Sequence, residues 1–472
     1  MRFSTWLVFF FFAVSVVSAV TGEARADEPP APTPMSAIAV APPEELGRKQ
    51  RLHDEDLVRK KEGSYFTGLP LANYDHDIGF GFGARVYWFD DGKRTDPLFA
   101  YTPYQNRVFA QAFASTGGVQ YHWLDYDSPH FLGSLFRVRA SFEFQQNIAQ
   151  NYFGIGTRSM QPLSFPGSPQ TFAHASDYDT HLKGVQPDGS TYALYDKYFG
   201  RRPQVAFALE RYLLGGIVRA LFGVGVSNTV IRQYTGTTTD ADGATGTVQA
   251  PEAPTRLALD CAAKRIVGCD GGWDNVLRLG LSLDTRDFEP DPNSGVYAEL
   301  STEYGLRGLG SDYAYARVMG SVRGFYSPLP RLADLVLAGR VLYEIQTHGT
   351  PFFSMSNLPF IDDNHAGLGG FRSLRGFRDS RFVGPVIALT NYEVRWTFLR
   401  FKTLDQTFGL MVVPFLDIGR VFDNVATTSF KDWKRTQGGG FRIAWNEATI
   451  IMADYGFSDE DAGLYVNFNH IF

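Results

Sequence analysis

The sequence predicts an all-β protein, a sixteen-stranded antiparallel barrel that spans an outer membrane. Apolar residues recur at every second position in many segments from Ser64 onward, as strands with one apolar and one polar face require. The chain ends on such a segment, with Phe472 as its last residue. The segments number sixteen, and every long connection between them falls on the same side. Composition agrees: of 472 residues 15% are aromatic and 48 are glycine, a tenth of the chain against a usual ~7%. The net charge of -6 shows no basic excess of the kind that binds phosphates, so no nucleic-acid partner is expected.

Residues 1–26 read as a signal peptide. Arg2 supplies the positive start, Trp6 to Val20 form a short apolar run, and Ala24-Arg25-Ala26 offers a small-x-small cleavage site. Cleavage there leaves 42 basic and 49 acidic residues, a net charge of -7, and places the mature chain in an oxidising, exported context. The next segment, 27–63, is Pro-rich up to Pro43 and heavily charged from Glu44 to Glu62. It is expected to stay periplasmic, with one polar helix, and at 37 residues falls short of the ~50 that a folded domain needs.

The expected strands are 64–74, 79–89, 98–115, 118–127, 134–149, 191–213, 216–231, 275–286, 294–304, 313–326, 332–345, 384–399, 407–418, 436–446, 449–457 and 463–472. An even count is what a bacterial single-chain barrel requires. With both termini periplasmic, the outer connections include 150–190, 232–274 and 346–383, while no periplasmic turn exceeds eight residues. Breakers mark those turns, among them Gly215-Gly216 and Pro328-Leu329-Pro330. In the last strand Leu464, Val466, Phe468 and Phe472 share an expected lipid-facing row, opposite Tyr465, Asn467 and Asn469. Pro70 has no N–H to give and Gly68 weakens the first strand, so the seam between strands one and sixteen should hold few hydrogen bonds. Cys261 and Cys269, eight positions apart in an outer loop, are expected to form a disulfide.

The segment Leu368-Gly369-Gly370-Phe371-Arg372-Ser373-Leu374-Arg375-Gly376-Phe377 resembles the signature of the bacterial surface antigen superfamily of outer-membrane barrels. That superfamily includes BamA/TamA-type assembly factors and two-partner-secretion pores. Further matches follow in order: Asp284-Thr285-Arg286-Asp287, Asn391-Tyr392-Glu393-Val394-Arg395, Pro414 to Phe422, Gly438-Gly439-Gly440-Phe441-Arg442 and the terminal Phe. The resemblance is strong over 275–472 and implies a barrel-only member without periplasmic POTRA domains. It implies that the Arg-Gly-aromatic triplet Arg375, Gly376, Phe377 folds back into the lumen from the sixth outer loop, and that Asp417 pairs with Arg375. Strand parity independently makes 346–383 that loop.

The residues set the physical terms. An arginine inside a barrel needs an anion, because an unpaired buried charge is very costly. Glu393 and Arg395, two positions apart on one strand, point to the same side as a lumen charge pair. Gly376 is expected to supply a positive φ for the re-entering loop. Phe468 and Phe472 are the expected C-terminal assembly signal, through which barrel assembly machinery would act. Outer-membrane lipid is the other expected partner, and a separate periplasmic partner could replace the missing domains. No cofactor, metal site or catalytic nucleophile is evident, so the protein is not expected to be an enzyme. Tyr and Trp along the strands read as interface girdles rather than binding stacks. Two readings of function remain: a protein assembly or translocation pore, and a small-solute channel or structural barrel plugged by loop six.

Overall fold

The computed structural model describes Leu57 and residues 60–75, 78–168, 170–287, 291–329, 334–359, 364–403, 406–445, 449–468 and 470–472. The expected signal peptide and nearly all of the 27–63 segment lie outside these residues.

Sixteen strands close into one antiparallel barrel. In chain order they are β1 (Ser64–Asp75), β2 (Gly79–Asp90), β3 (Asn106–Ser115), β4 (Gln120–Ser128), β5 (Phe136–Asn151), β6 (Lys197–Leu213), β7 (Val218–Arg232) and β8 (Val276–Asp284). They continue with β9 (Gly295–Gly305), β10 (Tyr315–Tyr326), β11 (Asp334–Gln346), β12 (Val386–Thr403), β13 (Gln406–Phe422), β14 (Lys434–Trp445), β15 (Thr449–Phe457) and β16 (Ala462–Phe468). Alternation does its expected work. Phe80, Phe82 and Val86 on β2, or Val318 and Val322 on β10, are exposed on the outer face, while their neighbours point inward. The long connections gather at one end, where they are folded rather than open. One contains a helix (Ala175–Lys183), and another a hairpin (Thr238–Gly243 with Gly246–Pro251) followed by a helix (Arg256–Ala262). Cys261 and Cys269 are bonded to each other at the end of that second helix, with Cα atoms 5.9 Å apart.

Three expected strand starts or ends are different in the structure. Residues 98–105 are turns, not the start of β3. Pro97 and Pro103 deny the ladder two donors, and the carbonyls of Phe99 and Thr102 instead accept from Lys60 Nζ, both at 2.7 Å. Residues 191–196 form turns closed by Tyr195 N to Tyr192 O and Lys197 N to Leu194 O, so β6 begins at Lys197.

The third concerns the C-terminus. β16 ends at Phe468, and Phe472 is not in a lipid-facing row. Its ring lies 5.1 Å from the Arg340 guanidinium and 5.3 Å from that of Arg395, on the lumen side. Arg395 Nη2 donates to the Phe472 carbonyl oxygen at 3.0 Å, and His470 Nε2 meets Asp291 Oδ1 at 3.0 Å. The reason is the seam. β1 pairs with β16 only at Tyr74–Val466 and Asp75–Tyr465 among the described residues, against twelve register positions between β1 and β2. Past that short ladder the tail has no strand to join, and buried arginines satisfy its carbonyls instead. The side chain of Phe468 lies outside the described residues.

An interface girdle accounts for Tyr392, Trp396 and Tyr455, which are exposed on the outer face. It does not account for Tyr65, Tyr87, Tyr121 and Trp123. These share their strand faces with Arg85, Gln111 and Asp125, opposite the exposed Phe66, Phe82 and Leu124. They line the lumen.

Candidate functional site

Three carboxylates stand on the inner wall at lumen-facing positions of β12, β13 and β15: Glu393, Asp417 and Asp454. Each is fully buried. Between them lies Arg375, carried in on the connection between β11 and β12 and itself 0% exposed. Its Nε donates to Asp417 Oδ2 at 3.0 Å and its Nη2 to Asp417 Oδ1 at 2.8 Å, a two-pronged contact. Its Nη1 donates to Glu393 Oε1 and Asp454 Oδ2, both at 2.8 Å. The guanidinium plane rests on the Phe415 ring, 3.4 Å from its centroid.

Two wall arginines complete the cluster. Arg442 Nη2 donates to Glu393 Oε1 at 2.7 Å and to Asp454 Oδ2 at 3.1 Å, and Arg395 Nε donates to Glu393 Oε2 at 2.9 Å. Three guanidinium groups therefore face three carboxylates, and the cluster is neutral. Asn391 and Thr436 fill the remaining lone pairs of Asp417, at 2.8 and 2.9 Å. Burial of such charges requires bonding of their sites, and most are bonded; Arg395 Nη1, Arg442 Nε and Asp454 Oδ1 have no partner among the described residues.

Glycine makes the approach close. Gly376 does not adopt a positive φ, contrary to expectation; Gly369 (119°) and Gly370 (77°) take that role, where the loop turns. Gly376 serves a different need. A Cβ there would collide with the backbone of Phe457 and Ser458 on the wall, and one on Gly456 would lie 2.6 Å from the Arg375 carbonyl oxygen. Backbone touches backbone at this point. Phe377 is buried in an apolar cluster with Leu368, Leu374 and Phe382, its ring 4.9 Å from that of Phe382.

The same connection is held elsewhere. Arg378 pairs with Asp179 at 2.6 Å and Asp461 at 3.0 Å, and Arg381 with Glu460 at 2.6 Å, which ties it to two neighbouring loops. Two strands away on the same side, Arg317 of β10 donates to the carbonyls of Ser354 (2.9 Å) and Asn357, and it also pairs with Glu344 and Glu303. The connection is thus held at several points along one arc of the wall, from β10 to β15.

Of the residues singled out in the sequence, the structure brings together Arg375, Asp417, Glu393, Arg395 and Gly376, with Phe377 beside them. Asp454, Arg442, Asn391, Thr436 and Arg317 were not anticipated as partners. Their signal was present in the alternation: Asp454 is a charge at an inward position of an otherwise apolar strand, between Met452 and Gly456.

Fold and site together define a class: a closed sixteen-stranded barrel whose long loop enters the lumen on an arginine. The Omp85 superfamily domain matches residues 91–468, and the chain belongs to that superfamily. A domain of unknown function, DUF5982, matches residues 42–105. No curated protein matches the chain. Among solved structures, BamA from Haemophilus ducreyi lacking POTRA domains 1-3 is 12% identical with a TM-score of 0.49, covering 87% of this chain and 70% of that one. CdiB from Escherichia coli is 10% identical with a TM-score of 0.49, covering 85% and 62%. CdiB from Acinetobacter baumannii is 11% identical with a TM-score of 0.44, covering 87% and 60%.

Proposed function

We propose that the protein resides in the bacterial outer membrane and acts as a pore for protein assembly or translocation, gated by the loop between β11 and β12. The observation that carries this is Arg375, buried in the lumen on three wall carboxylates. A loop that served only to connect two strands would not need a neutral six-membered charge cluster to receive its tip. In this reading Arg375, Gly376 and Phe377 form the pin, Glu393 and Asp417 its seat, and barrel assembly machinery reads the C-terminal strand. A separate periplasmic protein delivers the client.

The second reading is a small-solute channel in which the loop is a fixed plug. It is favoured by a second anchor on the same connection, Arg317 as well as the seat of Arg375. Crosslinking in intact outer membranes followed by co-purification separates the two. A stoichiometric periplasmic partner is the expected result. Conductance in planar bilayers with no partner recovered would overturn the first reading and leave the second.

A further inference from the structure

The inner wall of β1–β4 carries a continuous run of aromatic rings. Tyr65 stacks on Phe89 (centroids 5.4 Å, 26°), Phe89 on Tyr87 (5.5 Å, 13°), Tyr87 meets Phe109 (5.0 Å) and Phe109 meets Trp123 (4.9 Å). Tyr121 continues it at 6.0 Å from Trp123. In the register of the sheet these rings climb one level at a time, from Tyr65–Phe89 through Tyr87–Phe109 to Trp123 and then Tyr121. Tyr65, Tyr87, Phe89, Trp123 and Tyr121 are only half-buried, so part of each ring faces the lumen. A barrel interior is ordinarily polar, and this wall departs from that rule.

The surroundings narrow the ligand. Beside Trp123 in the register come Glu143 and then Gln204, and beside Tyr121 come Gln145 and then Arg202. None of these four side chains is fully buried. The charged groups at the foot of the wall are matched in pairs, Arg107 with Asp125 at 2.7 Å, Arg137 with Asp127 at 2.7 Å, and Arg139 with Glu210. Paired charges offer no net field to attract an ionic cargo.

We propose that this wall is a binding track for a neutral oligosaccharide. A pyranose ring has an apolar C–H face that packs on an aromatic ring and an edge of hydroxyls that pair with amides and carboxylates. An acyl chain would leave the polar edge unused. An extended peptide has no flat face repeating along its length to match the rings. The proposal stands apart from the gating role of loop six and holds for either reading of the pore.

The test uses the folded full-length protein in detergent, with an α-1,4-linked glucose hexamer as the probe and isothermal titration as the readout. The hexamer should bind, and Trp123→Ala or Tyr87→Ala should weaken it about tenfold, as loss of one stacked ring implies. Trp396→Ala, which changes a ring on the outer face, should leave binding unchanged. Heat-modifiable gel mobility reports folding of each variant. Should Trp123→Ala fail to fold, Tyr87→Ala carries the test, and Trp123→Phe, which keeps a ring, should weaken binding less than Tyr87→Ala. No hexamer binding, equal binding by Trp123→Ala, or equal or tighter binding of a length-matched polyethylene glycol or a Ser-rich hexapeptide would each overturn the proposal.

Discussion

The two sides of the lumen wall follow the same alternation and end in opposite states. On β9–β15 the inward residues are almost all buried, and charges such as Arg317, Glu344, Glu393 and Asp454 lie under the entering loop. On β2–β6 many inward residues remain half-buried, with the rings of Tyr87 and Trp123 among them. The strands themselves do not make this difference. Among the described residues it comes from one connection, 347–385, which leans on one wall through Arg375 and does not cover the other. Burial inside a barrel is thus a property of what fills it, and a strand pattern alone does not state it.

The contrast can be broken at its strongest point first. Arg375→Ala would leave three carboxylates facing two guanidinium groups without water, which should cost ~3–5 kcal/mol. The checks are a lower temperature for loss of heat-modifiable mobility and protease cleavage within 347–385. A two-membered pin would make Asp417→Ala equally severe. Because Glu393 and Asp454 also hold Arg375, Asp417→Ala should instead be the milder of the two. Arg107→Ala, on the clear wall and 28% exposed, should cost about 1 kcal/mol or less by the same assay.

Gly376→Ala tests the close approach without touching a charge. The new Cβ would push into the backbone at Phe457, so a loss of ~1–3 kcal/mol is expected. An unchanged melting profile would mean that the loop tip sits further from the wall than described here.

Deleting Phe472 sharpens the comparison at the seam. Removing a ring held between Arg340 and Arg395 should lower the stability of the assembled barrel by about 2 kcal/mol. A loss of insertion efficiency with no change in the stability of the barrels that do form would instead assign Phe472 to assembly.

The smallest effect is a pH dependence in the outer loops. Glu252 is buried between two of them, its Oε1 accepting from Leu194 N at 3.0 Å while its Oε2 has no partner among the described residues. Burial raises its pKa to about 7, above the usual glutamate value. Between the unfolded value and about 7 only the folded state holds the proton, so stability is highest below the unfolded value, falls across that interval and is constant above about 7. Amide protection at 191–196, measured against the intrinsic base-catalysed rate, should therefore fall between the ordinary glutamate value and about pH 7 and level off above it, and Glu252→Gln should remove that fall.

Much of this was legible in the sequence because it rests on local rules. Period-two alternation, turn breakers and parity located all sixteen strands and the long connection between β11 and β12, while the pairing of Asp417 with Arg375 was expected from the family resemblance and not from a local rule. The misses share a cause. Asp454 and Arg442 join Arg375 across a space that chain order does not describe, and the inward turn of Phe472 depends on what β1 fails to offer beyond Tyr74. Residues 98–105 are apolar enough for a strand, but two prolines and Lys60 give their carbonyls another use. Aromatic residues on alternate positions look alike in a sequence whichever face they take, so the inner run was not separable from a girdle.

The neutral cluster around Arg375 also sets how the protein responds to ionic strength. At 1 M salt the screening length falls to ~3 Å, which weakens charge pairs that mobile ions can reach. The pairs of Arg375 with Glu393, Asp417 and Asp454 have no exposed side-chain surface, so counter-ions have no way in. Arg107–Asp125 and Arg137–Asp127 are open to the lumen through their arginines. Concentrated salt should therefore weaken the Arg107 and Arg137 pairs while the loop stays seated, so protease resistance of 347–385 should not change with salt.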